Sequence, residues 1–257
     1  MKIHFLSYAT HDAMGFFKNQ DALCEDAKNL GNVDNVIKLR GDDIGNFKFE
    51  LENYIKKVEP PKYPRIHKAK YYIWKSFVIR DTLRKINEGD VLFYHDAGRD
   101  CYPFKITCDL KWFADYVVKN HKGIFVNFGP FVNRRFTKRE CFKIMNCDEK
   151  YYWDSRQANG SWGVYQKNEL SIKFVNEWFN YCMHPSMIVT DIENDSDTLP
   201  NYEAHRHDQS ILTNMLLKYK KEYGLPLDPK LQGKLPRPWG WEKDMCLAIS
   251  KIQKHLG

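Results

Sequence analysis

The sequence predicts an α/β fold, a sheet with helices on both faces, and three observations carry that expectation. Short apolar runs alternate with segments whose apolar residues recur at helical spacing, from Lys2 to Leu256. Glycines that stop helices, such as Gly31, Gly89 and Gly123, fall between those segments. The 257 residues are 43% hydrophobic and 28% charged, enough to bury a core, and no linker, repeat or low-complexity tract divides them. One domain is expected.

The elements follow in order. Lys2 to Ala9 reads as a strand, then Phe16, Leu23, Ala27 and Leu30 mark a helix that stops at Gly31. Asn35 to Leu39 is a second short strand, and Phe47 to Val58 is helical until Pro60, Pro61 and Pro64 impose a loop over about 59 to 70. From Tyr71 a helix carries Ile79, Leu83 and Ile86 on one face, and Val91 to His95 is a buried strand. Leu110, Phe113 and Val117 mark the next helix, followed by a strand from Ile124 to Phe128. Thr137 to Glu140 has capping-box spacing, which predicts a helix reaching Cys147. Leu170, Phe174, Trp178 and Cys182 form a helical stripe after Asn168, Met187 to Thr190 is a candidate strand, and Asp191 to Asn201 a loop. A helix begins near Asp208, and an irregular stretch holds Gly224, Pro226, Pro236 and Pro238. Met245, Ile249, Ile252 and Leu256 make a terminal amphipathic helix. Its apolar stripe serves core packing or, with Lys243, Lys251 and Lys254 on the polar side, a peripheral membrane contact.

Composition narrows the function classes. No window approaches 18 unbroken apolar residues and the first ten residues are strand-like, so neither a spanning helix nor a signal peptide is expected and the location is read as cytoplasmic. The seven cysteines, at 24, 101, 108, 141, 147, 182 and 246, contain no C-x-x-C pair, so free thiols packed as small hydrophobes are expected. A net charge of +7 suits an anionic ligand. No G-x-G-x-x-G follows the first strand, and neither a P-loop nor a G-x-S-x-G is present. Phosphate binding would therefore rest on side chains and a metal.

In open α/β sheets ligands sit beyond the carboxyl ends of strands, so the residues there are the candidates. Asp96 follows the strand Val91 to Tyr94, and small Ala97 and Gly98 leave room for a ligand beside a hard oxygen. The same residues also suit a plain β-turn. His205 to Ser210 packs two imidazoles, a carboxylate and an amide into a helix start. There Asp208 caps the helix, or Asp208 and Gln209 bond sugar hydroxyls while His205 or His207 offers a base. Lys75 and Arg80 lie on the helix feeding the Asp96 strand and reach toward phosphate or solvent. Ser7 and Tyr8 end the first strand, beside a nucleoside or as an ordinary terminus.

FLSYAT, YYIWKSFVI, INEGDVLFYHDAG, the EWF after Leu170 and HRHDQSI, in this order over about residues 3 to 216, resemble the nucleotide-sugar glycosyltransferases of the GT-A fold. More narrowly, the resemblance is to bacterial and viral proteins linked to capsular or surface polysaccharide synthesis. It implies a mixed, mostly parallel sheet in one domain over 1–257, with a nucleotide-binding half at 1–130 and an acceptor-side half at 131–257. It also implies Ser7 and Tyr8 against the nucleoside, Lys75 and Arg80 facing diphosphate or donor sugar, and Asp96, Ala97 and Gly98 in place of a D-x-D element. Asp96 would hold Mn2+ or Mg2+, and Asp208 and Gln209 would line the reacting carbon; in an inverting reaction Asp208 or His207 would take the acceptor proton. The second acidic D-x-D position is Gly98 here, where Asp100, His205 or His207 would have to substitute, or Lys75 and Arg80 neutralise charge instead. The implied partners are a nucleoside diphosphate sugar, UDP-sugars foremost, and a glycan or lipid-linked acceptor, with no nucleic acid. Two rival readings are a polyanion or nucleic-acid binder, motivated by Lys68 to Lys75 and Asn133 to Lys143, and a GT-A fold that has lost catalysis.

Overall fold

The structure, a computed structural model, describes residues 1–58, 69–98, 104–192, 197–227 and 245–256. The chain opens with strand β1 (Ile3–Ala9), helix α1 (Phe16–Asn29), strand β2 (Asn35–Arg40) and helix α2 (Phe47–Ile55). Helix α3 (Ile73–Lys85) then feeds β3 (Val91–His95), and α4 (Leu110–Asn120) leads into β4 (Ile124–Phe125). After β5 (Phe128–Val132) come α5 (Arg139–Ile144), α6 (Lys150–Trp153), β6 (Arg156–Ala158) and β7 (Trp162–Gln166). The remainder is helical: α7 (Glu169–Cys182), α8 (His207–Tyr223) and α9 (Met245–Leu256).

The central sheet has the order β2-β1-β3-β7-β4. β1 pairs in parallel with β2 and with β3, whereas β7 runs antiparallel to both β3 and β4. Four of its five strands therefore point the same way, and the expected α/β class with a mixed, mostly parallel sheet is what the chain forms. β5 and β6 make a separate two-stranded sheet. Alternation along β1 sends Ile3, Phe5 and Ser7 to one face and Leu6 and Tyr8 to the other. The first core lies on the Leu6 face under α2, α3, α7 and α8, with Val78, Phe174, Trp178 and Met215 fully buried or nearly so. The second core lies on the Phe5 face under α1, α4 and α9, with Phe93, Phe113 and Trp162 at its centre.

Several expectations need correction. The run from Ile124 to Phe128 is not one strand: pairing to β7 stops at Phe125, and Phe128 opens the second sheet. Thr137 does not cap a helix, because its hydroxyl donates to Asn133 Oδ1 at 2.8 Å and leaves the start of α5 without a side-chain cap. Met187 to Thr190 forms turns, closed by the Met187 N–H on His184 O and the Thr190 N–H on Met187 O. β6 and β7 were not among the expected strands, and the region's one local mark is a turn, Asn159-Gly160 between short alternating runs. The two flanking strands do not pair with each other but enter different sheets.

The cysteine expectation holds for Cys24, Cys141, Cys147 and Cys182, which are buried free thiols. It fails for Cys108 and Cys246, which form a disulfide across 138 residues and tie α9 to the segment before α4. A spacing rule that looks for close pairs cannot see a bridge made by folding. Met245, Ile249 and Ile252 are buried in the second core, so the apolar stripe of α9 is used for packing. No helix among the described residues is long and apolar enough to cross a membrane. The expected loop at 59–70 lies largely, and the irregular stretch after Gly224 partly, outside the described residues, as do Arg99, Asp100, Cys101 and Lys243.

Candidate active site

Parallel register brings the end of β1 beside the end of β3, with Leu6 paired to Tyr94, so the residues that follow both strands share one corner of the sheet. The Asp96 N–H is held by Ser161 O at 2.8 Å, from the start of β7. Gly98, at φ +74°, takes the left-handed conformation that lets the chain turn away at once. Asp96 shares the sheet face of Tyr94, whose hydroxyl donates to Asp96 Oδ1 at 2.5 Å.

Lys75 enters this corner from the first turns of α3. Its Nζ donates to Gly160 O at 2.8 Å and lies 3.1 Å from Asp96 Oδ1, 3.3 Å from Asp96 Oδ2 and 3.7 Å from Asp208 Oδ2. The lysine and Asp208 side chains are 6% and 4% exposed, whereas Asp96 is 30% exposed, so Asp96 is the edge that meets solvent. Asp96 and Asp208, 112 positions apart in the chain, thus converge on one ammonium.

The backbone that delivers Lys75 is held in a conformation L-residues avoid. Lys70, Tyr71 and Tyr72 have φ of 51°, 51° and 59° in succession, each at a cost of order 1–3 kcal/mol. Burial of Tyr71, whose hydroxyl donates to Asp191 Oδ1 at 2.9 Å, helps to hold that turn. The turn also lays the Tyr72 ring 5.7 Å from Lys75 Nζ, and Trp74 and Tyr94 stand at 5.8 Å. His207, directly before Asp208, has φ 52° as well.

Asp208 sits in the first turn of α8, a helix buried along most of its length. It is not the cap, which is Arg206, and its Oδ2 has no hydrogen bond. Burial pushes its carboxyl up to about 7, against the pull of Lys75 and with a further push from Asp96. For Lys75, burial opposes the charge but Asp96 and Asp208 outweigh it, so the ammonium holds its proton more tightly than an ordinary lysine. Trp178 Nε1 donates to Asp208 O at 3.3 Å, which seats the start of α8 on α7.

Gln209 has a determined orientation. The Gly160 N–H donates to its Oε1 at 3.3 Å, and its Nε2 donates to Gln157 Oε1 at 3.0 Å. Gln157 in turn gives its Nε2 protons to Phe136 O at 3.2 Å and Ser210 Oγ at 3.3 Å. A backbone N–H at one end and a backbone carbonyl at the other leave neither amide free to flip. Gln157 and Gly160 are therefore parts of the site that the sequence reading missed. The Asn159-Gly160 pair was the local signal for them; nothing local marked Gln157.

The other candidates are placed elsewhere. Arg80 is not in the corner: its guanidinium lies 3.6 Å over the Phe179 ring, because five helical steps from Lys75 turn it toward α7. Ser7 is fully buried on the opposite sheet face from Asp96. Tyr8 is on the right face but 3% exposed, its ring 4.7 Å from Trp74 and its hydroxyl on Gly41 O at 2.9 Å. Ala97 is buried beside Asp96. His207 bonds Val189 O through Nδ1 at 2.9 Å, and burial brings it down to about 4, so it is neutral at pH 7. His205 Nδ1 takes the Lys138 N–H at 3.2 Å, and burial likewise keeps it neutral.

Among the described residues, those of this corner do not fit a divalent cation. Asp96 Oδ1 already receives Tyr94 and Lys75, the second D-x-D position is Gly98, and the histidines are turned to Lys138 and Val189. Among the described residues no three His, Cys, Asp or Glu gather as a ligand set. Charge adds a cost: two unit charges about 4 Å apart interact by about 4 kcal/mol at an effective dielectric near 20, so a divalent ion set beside this ammonium meets about 8 kcal/mol of repulsion, which the carboxylates already shared with Lys75 would have to offset.

The basic segments that motivated polyanion binding are largely neutralised. Arg134 pairs with Asp154, Arg135 with Glu203, Arg139 with Asp148 and Asp197, and Lys70 with Glu52.

No family model matches the sequence, and no curated protein matches it. Among solved structures, the apo form of mouse xyloside xylosyltransferase 1 aligns over 88% of this chain and 84% of that one, with a TM-score of 0.48 and 9% identity. A likeness that distant leaves function to be argued from the residues of the corner.

Proposed function

We propose that the chain is a glycosyltransferase of the GT-A kind, moving a sugar from a nucleoside diphosphate donor, UDP-sugars foremost, to a glycan or lipid-linked acceptor in surface polysaccharide synthesis. The observation that supports this reading is the convergence of Asp96, Lys75 and Asp208 at the carboxyl end of β3. In this reading one domain supplies the site from both halves: Lys75 and Asp96 from 1–130, Gly160, Asp208 and Gln209 from 131–257.

The chemistry needs an oxygen base and a fixed polar surround. As the bond from anomeric carbon to diphosphate breaks, the acceptor oxygen bonds to that carbon and gives up its proton. Asp208 takes it. A carboxyl held near 7, with one oxygen lacking a hydrogen bond, is matched to that task at neutral pH. His207, at about 4, is the weaker base. Direct displacement assisted by Asp208 inverts the configuration. Gln209, locked by Gly160 and Gln157, presents its remaining N–H to a sugar hydroxyl without reorganisation. Lys75 pairs with Asp96 and offsets negative charge at the leaving end.

The test is release of nucleoside diphosphate from a panel of nucleotide sugars. The wild type is expected to turn over at least one of them. Asp208→Asn is expected to lose about 10²- to 10⁴-fold in kcat, with nucleotide affinity within about threefold. No turnover with any donor, or an Asn variant as active as the wild type, ends the proposal.

A further inference from the structure

The place between Asp96 and Asp208 is already filled. We propose that Lys75 is the resident cation of this corner, and that donor binds and reacts there without a divalent ion; the second clause rests on the glycosyltransferase reading, the first does not. The ammonium touches both Asp96 oxygens at 3.1 and 3.3 Å, faces Asp208 Oδ2 at 3.7 Å and donates to Gly160 O at 2.8 Å. Its hydrogen bonds go to Asp96 Oδ2 and Gly160 O, and Asp96 Oδ1 and Asp208 Oδ2 stand within ion-pair distance.

A metal bridging the two carboxylates would have to displace that ammonium from Asp96 and Gly160 O and leave it buried beside a like charge. Among the described residues it is enclosed. α3 is packed on α7 and α8, Lys75 is 5% exposed, and Tyr72, Trp74 and Tyr94 stand around its Nζ. Gly98 then follows as a consequence, because a second carboxylate at that position would have no cation left to hold.

An ammonium differs from a metal ion in what it leaves open. It neutralises Asp96 without coordinating it, so the exposed edge of that carboxylate keeps a lone pair for a hydroxyl proton. The ligand chemistry that fits is a polyhydroxylated one, a ribose or a donor sugar, placed against Asp96, not a phosphate held through a metal bridge.

The experiment uses the full chain, stripped with a chelator, and Mn2+ alone as the probe, followed by electron paramagnetic resonance. The wild type is expected to bind no Mn2+ tighter than millimolar. Lys75→Met, which empties the place between the carboxylates, is expected to bind one ion, and the double variant with Asp96→Asn to lose it. Donor turnover by the wild type is expected to change by less than about twofold between excess chelator and added Mn2+. One Mn2+ bound to the wild type at micromolar affinity and released in Asp96→Asn overturns the proposal, and so does turnover that requires Mn2+. Should Lys75→Met fail to fold, the wild-type titration decides alone. Should no donor be accepted, the glycosyltransferase reading falls while the Mn2+ titration still judges Lys75.

Discussion

The two faces of the central sheet bury similar apolar side chains for different ends. Under α1, α4 and α9 the second core is aromatic and aliphatic, with Phe5, Phe93, Phe113 and Trp162, and Gln20 beside it spends its amide on Ser7 O and Leu39 O. Under α3, α7 and α8 the first core is as dry, yet it encloses Lys75, Asp208, His205 and His207. Among the described residues the Phe5 face buries ionisable groups only singly, His95 and His121 each beside a backbone carbonyl, whereas the Leu6 face brings a lysine and two carboxylates within 3.7 Å. Burying charge costs stability, so that cluster marks where the chemistry is placed. The Phe5 face, closed by the Cys108–Cys246 bridge, stands as the support.

That division is open to attack from the support side. Cys108→Ser removes the bridge and is expected to lower stability by about 2–4 kcal/mol with turnover unchanged, measured by urea unfolding and nucleotide release. A loss of turnover in a folded variant would show that the two faces are coupled.

The pH dependence of stability sharpens the comparison from the other side. His207, depressed from 6.5 to about 4, contributes stability present above pH 6.5 and lost as pH falls toward 4, and His205 is depressed in the same sense. Asp208, raised from 3.8 to about 7, acts oppositely: its contribution is full below 3.8 and lost as pH rises through 7. Between those limits the unfolded chain binds two protons more at the histidines and one fewer at Asp208. One net proton gives a rise in stability of about 1.4 kcal/mol per pH unit from pH 4.5 to 6. In Asp208→Asn the slope is expected to double. An unchanged slope in that variant would mean that Asp208 is ionised throughout.

The smallest effect separates two positions on one helix. Arg80→Ala is expected to cost about 1 kcal/mol or less, through its stacking on Phe179, and to leave donor affinity unaltered in a binding titration. A tenfold loss of affinity would return Arg80 to the corner.

Most of the fold was legible because its signals are local. Helices α1, α3, α4, α7, α8 and α9 announce themselves by apolar periodicity, and β1, β2 and β3 by short apolar runs bounded by turns. β7 was not legible, since a strand reversed within a mostly parallel sheet carries no mark of its direction. The site was legible in part. Asp96 beside Gly98, and Asp208 at a helix start, are positions that spacing alone singles out.

What the sequence determined by itself was where carboxylates and turns stand along the chain: a strand ending in Tyr94-His95-Asp96, a helix opening on His207-Asp208-Gln209, and Lys75 one helix earlier. The tertiary structure decided what those groups are. Lys75 meets Gly160 across 85 positions and Asp208 lies buried against it, so their charges, and the choice between a metal and an ammonium, depend on distances that no local pattern contains. It likewise turned Arg80 away and joined Cys108 to Cys246. The physical reason is range: backbone conformation is set by neighbours in sequence, whereas desolvation and Coulomb energy are set by neighbours in space.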